Sequence, residues 1–183
     1  MDEKNKKLLS LTALNAVIAS RVQIKSIQLL NSKTHFNPAL LQEGMEVRYA
    51  FQSKVESNKE EKTISVIDHF QLFVQKEGVT NLKDSTVKLS ADYLLLYSVS
   101  SWDGILDEHL EAFGKMNGIY NGWPYWREFV QSMTTRMGLP ALALPVITGA
   151  SLEEQYKKNI DSEKNQSSST TAPTPSEQSN SKD

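Results

Sequence analysis

Between residues 21 and 100 the chain alternates apolar and polar positions with a period of two, and four segments follow that period closely enough to predict strands. In the second segment Met45, Val47, Tyr49, Phe51 and Val55 share one face, while Glu46, Arg48, Gln52, Lys54 and Glu56 occupy the other. In the fourth, Val87, Leu89, Ala91, Tyr93, Leu95, Tyr97 and Val99 point one way, and Leu94 and Leu96 make the opposite side partly apolar too. The third places Ile64, Val66, Phe70, Leu72 and Val74 against Ile67, His69 and Phe73. The first opens on Val22 and Ile24 and then changes parity to Ile27 and Leu29, which predicts a bulge near Lys25 and Ser26. The polar segments Ser57 to Lys62 and Gly78 to Asp84 read as turns, so the expected layout is an antiparallel meander.

From residue 103 the period changes to that of a helix. Asp103 is the expected N-cap of a helix reaching about Tyr120, with Leu106, Leu110, Phe113 and Met116 inward, and Asn121 and Gly122 are the expected break. A second helix then starts with Pro124 in its first turn, where the missing N–H costs nothing. Trp126, Phe129, Val130, Met133 and Met137 form its apolar stripe, Gly138 suits its left-handed cap, and Pro140 prevents its continuation. Leu142, Leu144 and Val146 alternate beyond it, and Pro140 and Pro145 keep that strip out of a central strand. A last short helix is expected from the capping-box-like Ser151 to Glu154, carrying Leu152 and Tyr156. Strands followed by helices give an α+β fold, a four-stranded antiparallel sheet with helices packed on one face.

The chain's ends differ from this body. Leu8 to Ser20 is read as an amphipathic helix with Leu11, Leu14 and Ile18 on one side, forming an N-terminal helical extension over residues 1–20. It is not read as a signal peptide, because Asp2 and Glu3 spoil the basic start and Asn15 interrupts the apolar run. Residues 161–183 contain one Ala and no larger aliphatic or aromatic residue, a composition that predicts a disordered tail.

Charge and composition narrow the function. The net charge of −2 comes from Asp161, Glu163, Lys164, Glu177, Lys182 and Asp183, which leaves residues 1–160 formally neutral. A neutral body lacks the cationic footprint that nucleic-acid affinity rests on. Over the 183 residues an apolar fraction of 39% and a mean hydropathy of −0.43 fit one globular domain. No apolar run nears the ~20 residues of a membrane span. The absence of cysteine excludes disulfides and thiolate catalysis and suits the cytoplasm. His35, His69 and His109 fall on a strand end, a strand and a helix with no ligand spacing, and no glycine-rich phosphate loop is present, so a non-enzymatic protein without cofactor or metal is expected.

The order of four strands, helix, break and then WPYWREFVQSMTTRMGLPALALP, Trp123 to Pro145, resembles the SecB family of export chaperones and their solitary SecB-like relatives. The letters that carry the resemblance are Pro124, Tyr125, Arg127, Glu128, Ser132, Met133, Arg136, Pro140, Leu142 and Leu144. It implies a SecB-like chaperone domain over residues 21–160, assembled as a homotetramer, a dimer of dimers. Such a protein is an ATP-independent holdase that grips unfolded client polypeptides in apolar grooves, for export or for a dedicated client. A variant of the same fold would be an adaptor for one partner such as an antitoxin. The expected groove residues are Phe36, Phe73, Trp102, Trp123, Trp126, Leu139, Leu142 and Leu144. The export chaperone also presents carboxylates from its first and fourth strands to the SecA motor, and the matching positions here are Ser26, Leu30 and Ser90, so docking to SecA is not carried over.

Overall fold

The computed structural model describes residues 10–79 and 81–167, with no account of side chains beyond residue 158. Its strands are β1 (Val22–Phe36), β2 (Met45–Asn58), β3 (Thr63–Lys76) and β4 (Val87–Val99), all paired antiparallel. The expected meander is only partly present, because the sheet order is β1-β4-β3-β2. β2, β3 and β4 follow one another as hairpins, whereas β1 lies beside β4 at the far edge. Residues 37–44 must therefore cross the ends of two strands. Thr86 pins that crossing: its carbonyl accepts from the Asn37 N–H at 2.8 Å, its hydroxyl donates to the Leu40 carbonyl at 3.0 Å, and its own N–H donates to Val74 at 2.8 Å. The bulge expected near Lys25 is present, and a second interrupts β1 between Leu29 and Asn31.

The parity read from the sequence selects the face that the helices cover. Ile64, Val66, Phe70 and Leu72 of β3 are fully enclosed, as are Val87, Leu89, Leu95 and Tyr97 of β4. The opposite positions of both strands are mostly half-buried, with Gln75 near the end of β3 enclosed.

The helices are α1 (Leu11–Ala19), α2 (Asp107–Phe113), α3 (Ile119–Arg136) and α4 (Gly149–Ser167), with a π-helical turn, Gly114–Gly118, joining α2 to α3. Three sequence expectations fail here. The first helix starts at Asp107 rather than after Asp103, because Asp103 is used in a turn with Ser101 and accepts a bond from Arg21. Leu106, expected inward, precedes the helix and is exposed. Asn121 and Gly122 do not break the layer, since α3 runs through them and carries Pro124 in its interior. Pro124 deprives the Tyr120 carbonyl of its helical donor, and it does so at an exposed turn where water can take the donor's place.

The reason for Gly122 is close approach, not a break. Gly114, Gly118 and Gly122 recur every four residues, so they form one stripe against the sheet. A Cβ would stand 2.2 Å from Val55 Cγ2 at Gly114, 2.6 Å from Val66 Cγ1 at Gly118 and 2.8 Å from Asp68 Oδ2 at Gly122. The helix layer thus rests on β2 and β3 through bare backbone. Gly118→Ala sets a helix-propensity gain of about 1 kcal/mol against overpacking of about 1–3 kcal/mol on the stiff, enclosed Val66. Net destabilisation of up to about 2 kcal/mol is expected in urea unfolding, and a variant more stable than the parent would mean that the layer lifts freely.

Gly138 closes α3 as expected: its φ is 75°, its N–H donates to the Thr135 carbonyl, and the Leu139 N–H reaches back to Thr134. The chain then doubles back along the helix. Leu142 N–H donates to the Thr134 hydroxyl at 3.1 Å, Arg127 Nε to the Leu144 carbonyl at 2.9 Å, and Trp123 Nε1 to the Pro145 carbonyl at 2.9 Å.

Rather than standing off the body as an extension, α1 packs into it. Ile18 is fully enclosed in the main core, Asn15 donates to Asn117 Oδ1 at 2.8 Å, and the Glu153 carboxylate of α4 accepts from the first backbone N–H groups of α1, Leu11 and Thr12. α4 runs past residue 161, where the tail was expected to begin; residues 168–183 of that tail lie outside the described residues.

Candidate functional site

α3 is one helix wide and lies across β3 with contacts to β2 and β4, so parts of the inner faces of the two edge strands stay exposed beside it. Trp126 stacks on Phe70 of β3 at 5.6 Å and 11°, and Phe129 stacks on Trp126 from the next turn at 5.6 Å. Trp123 leans toward β2, with ring centroids 5.4 Å from Tyr49 and 5.9 Å from Phe51. Tyr125 leans the other way, toward Tyr93 of β4 at 6.3 Å, and Tyr93 donates to the Tyr125 carbonyl.

Two apolar strips result, one on each side of α3. On the β2 side Val47 and Tyr49 remain 39% and 38% exposed although they point toward the helix layer. On the β1 side Ile24 and Leu29 are 42% and 49% exposed, and Leu29 is paired with Tyr93, whose ring meets Tyr125. Aliphatic and aromatic side chains in open rows of this kind offer contact area with few polar demands on what they meet. The strips were missed in the sequence because alternation shows which face a residue joins, not how far a neighbouring helix reaches.

The eight expected groove residues do not form one site. Trp126 is fully buried, Trp123 is 2% exposed and Leu144 is 4% exposed, so all three belong to the core rather than to a solvent-facing groove. Trp123 is held there by its bond to Pro145 and by three aromatic neighbours, and Leu144 by the bond that Arg127 donates to its carbonyl. Phe73 lies on the opposite side of the sheet, paired with Lys88 and Arg48. Trp102 follows β4 beyond Val99 and is partly buried against the core. Phe36, Leu139 and Leu142 are also partly buried on the helix side: Phe36 closes β1 opposite Val87, and the other two follow α3. α3 advances along β3 from Val66 toward Phe70, which brings its C-terminal end toward the same end of the sheet as Phe36. Val146, expected to continue the alternating strip, is 72% exposed while Ile147 turns inward.

The titratable groups are dispersed. His109 Nδ1 accepts the Leu106 N–H at 3.0 Å at the start of α2, His69 pairs with Asp92 on the uncovered face, and His35 is exposed at the end of β1. Asp68 differs from all of them. It is enclosed beneath Gly118 and Gly122, its Oδ1 accepts from Ser53 at 2.5 Å, and its Oδ2 has no partner. Burial pushes its carboxyl up to about 7, outweighing the Ser53 bond that pulls it down.

No family model matches the chain. It is 28% identical over 157 residues to the SecB-like chaperone Rv1957 of Mycobacterium tuberculosis strain H37Rv, covering 76% of this chain and 85% of that protein. The SecB-like chaperone MT2006 of the Oshkosh strain matches with the same identity and coverage. Among solved structures the fold is similar to that of the Mycobacterium tuberculosis Rv1957 SecB-like chaperone in complex with a ChAD peptide from the Rv1956 HigA1 antitoxin. That match has a TM-score of 0.63 and 23% identity, and covers 74% of this chain and 97% of the other.

Proposed function

Taking the resemblance to SecB-like chaperones, borne out in sequence and in fold, as the premise, we propose that this protein is an ATP-independent holdase that binds non-native polypeptide along the apolar strip beside α3. The observation that carries this reading is the exposure of Val47 and Tyr49 beside an otherwise enclosed aromatic core. An unfolded segment laid on that row covers apolar area without requiring a particular sequence, and its release needs no covalent chemistry.

The two edges suit different tasks. β2 is fenced on its uncovered face by charged residues, with Arg48 bonded to Glu46 at 2.5 Å and Lys54 to Glu56 at 2.7 Å. Such fencing discourages strand pairing. β1 carries no charge from Ser26 to Ser32, so its edge is open to pairing with a second copy. This supports assembly through β1, toward the homotetramer that the resemblance implies, and leaves the β2 strip for clients. The cysteine-free sequence suits action in the cytoplasm.

Val47→Asp combined with Tyr49→Asp is expected to reduce suppression of aggregation about tenfold or more while circular dichroism and native mass stay unchanged. The assay uses several unrelated unfolded proteins. A monomer that suppresses none of them, or a double variant as active as the parent, would remove the holdase reading.

A second reading is an adaptor for one partner, favoured by the antitoxin peptide bound to the structurally similar Rv1957. It expects protection of a single client and none of the others, so the same panel of substrates separates the two.

A further inference from the structure

The face of the sheet turned away from the helices is divided along its length. Its centre carries Ile67 opposite Leu94, with Leu96 one pair further on. A polar row follows, in which Asp92 is engaged by His69 and, at 3.4 Å, by Asn31. Beyond that row lies a shallow cavity of about 270 Å³ whose lining includes Lys33, His35, Lys88, Phe73, Gln71 and Ser90 and no carboxylate. The acids that the strands place on this face are already engaged, Asp92 with His69, Glu46 with Arg48 and Glu56 with Lys54. Lys33 has no carboxylate partner among the described residues, and Lys88 gives one bond, 2.7 Å, to the Lys83 carbonyl and keeps its charge unpaired.

From this end of the open face we infer a docking site for an acidic, extended polypeptide segment, its carboxylates meeting Lys33 and Lys88 and an apolar side chain lying on Phe73. Lys33 faces Ser90 and His35 faces Lys88, so the two lysines are diagonal neighbours on adjacent strands, about 7–8 Å apart at the backbone. Side chains two residues apart in an extended peptide share one face and stand about 6.6 Å apart, which matches that spacing. A nucleic acid fits less well: two unpaired lysines neutralise too few phosphates for useful affinity, and the cavity lining offers base stacking just the rings of Phe73 and His35. The site lies on the opposite face from the client strip, so one chain can hold both ligands.

The experiment is fluorescence anisotropy on the full chain with a labelled ten-residue peptide alternating Glu and Leu, beside Gln–Leu and Lys–Leu versions. The Glu peptide is expected to bind, and to weaken as salt rises from about 50 to 200 mM. Lys33→Glu with Lys88→Glu should weaken it about tenfold or more. Lys33→Gln with Lys88→Gln should weaken it in the same direction, which covers the case that charge reversal disturbs folding. The Val47→Asp, Tyr49→Asp variant should bind the peptide like the parent, so failure of the holdase reading and failure of this one remain distinguishable. Equal binding of the Gln peptide, unchanged binding by the lysine variants, or more effective displacement by single-stranded oligonucleotide than by unlabelled Glu peptide would overturn the proposal.

Discussion

Raising the pH from about 4 to above 7 is expected to cost the folded protein roughly 4 kcal/mol through Asp68 alone. The carboxyl sits near its ordinary value of 3.8 when the chain is unfolded and at about 7 when it is folded, because burial between the sheet and the glycine stripe opposes its charge. Between those values the folded state holds a proton that the unfolded state has released. Stability from this group is therefore complete below about pH 4, falls as the pH rises toward 7 and levels off above it. Ser53 supplies one hydrogen bond, but Oδ2 faces the backbone of Gly118 and Gly122 with no donor, so the ionised form is poorly served. Asp68→Asn keeps the shape and removes the titration. The measurement is the difference in urea-unfolding free energy between parent and variant across this range. The two should agree within about 1 kcal/mol near pH 4, and the variant should be the more stable above pH 7. A difference that does not change with pH would mean that the carboxyl is solvated, which requires the helix layer to stand off the sheet.

This arrangement also shows which parts of the fold the sequence could reveal. Val87 to Val99 alternate so regularly that the enclosed face of β4 follows from the letters, and the parity change after Ile24 locates the first bulge. The strand order does not follow in the same way. Residues 37–44 are as long as an ordinary turn, and their crossing is fixed by bonds to Thr86, a residue about forty-six positions from Leu40, which no local pattern encodes. Gly122 misled for a different reason. A glycine after Asn reads as punctuation when taken alone, and only its spacing from Gly114 and Gly118, together with the size of Val66, turns it into a contact surface. The candidate site was least legible of all. Trp126 lies on the stripe read for its helix, whereas Trp123 lies before the start that was read for it; how far the helix covers β2 decides whether Tyr49 or Trp123 meets solvent, and that is a matter of width rather than periodicity.

Trp126→Ala is expected to lower unfolding free energy by about 3–5 kcal/mol, a large share of the roughly 5–15 kcal/mol that holds a domain of this kind together. The ring is fully buried between Phe70 and Phe129, stacked on both, so truncation removes its apolar contact area and leaves a cavity that rigid neighbours on a strand and on the same helix cannot fill. Trp126→Phe supplies the control. The indole Nε1 has no hydrogen-bond partner, so phenylalanine relieves a buried unsatisfied donor worth about 1–3 kcal/mol while it gives up part of the stacking area. Its net loss should be about 1 kcal/mol or less. Trp123 makes the useful contrast, because its Nε1 is bonded to Pro145, and phenylalanine there gives up that hydrogen bond as well as shrinking the ring. Trp123→Phe should thus cost more than Trp126→Phe, although Trp126 is the more deeply buried of the two. Each variant is followed by urea unfolding and by the aggregation assay under conditions where it remains folded. A core residue loses stability and keeps client binding per folded molecule, whereas a groove residue does the reverse. Loss of client binding by a folded Trp126→Ala protein with an unshifted midpoint would return that tryptophan to the binding surface.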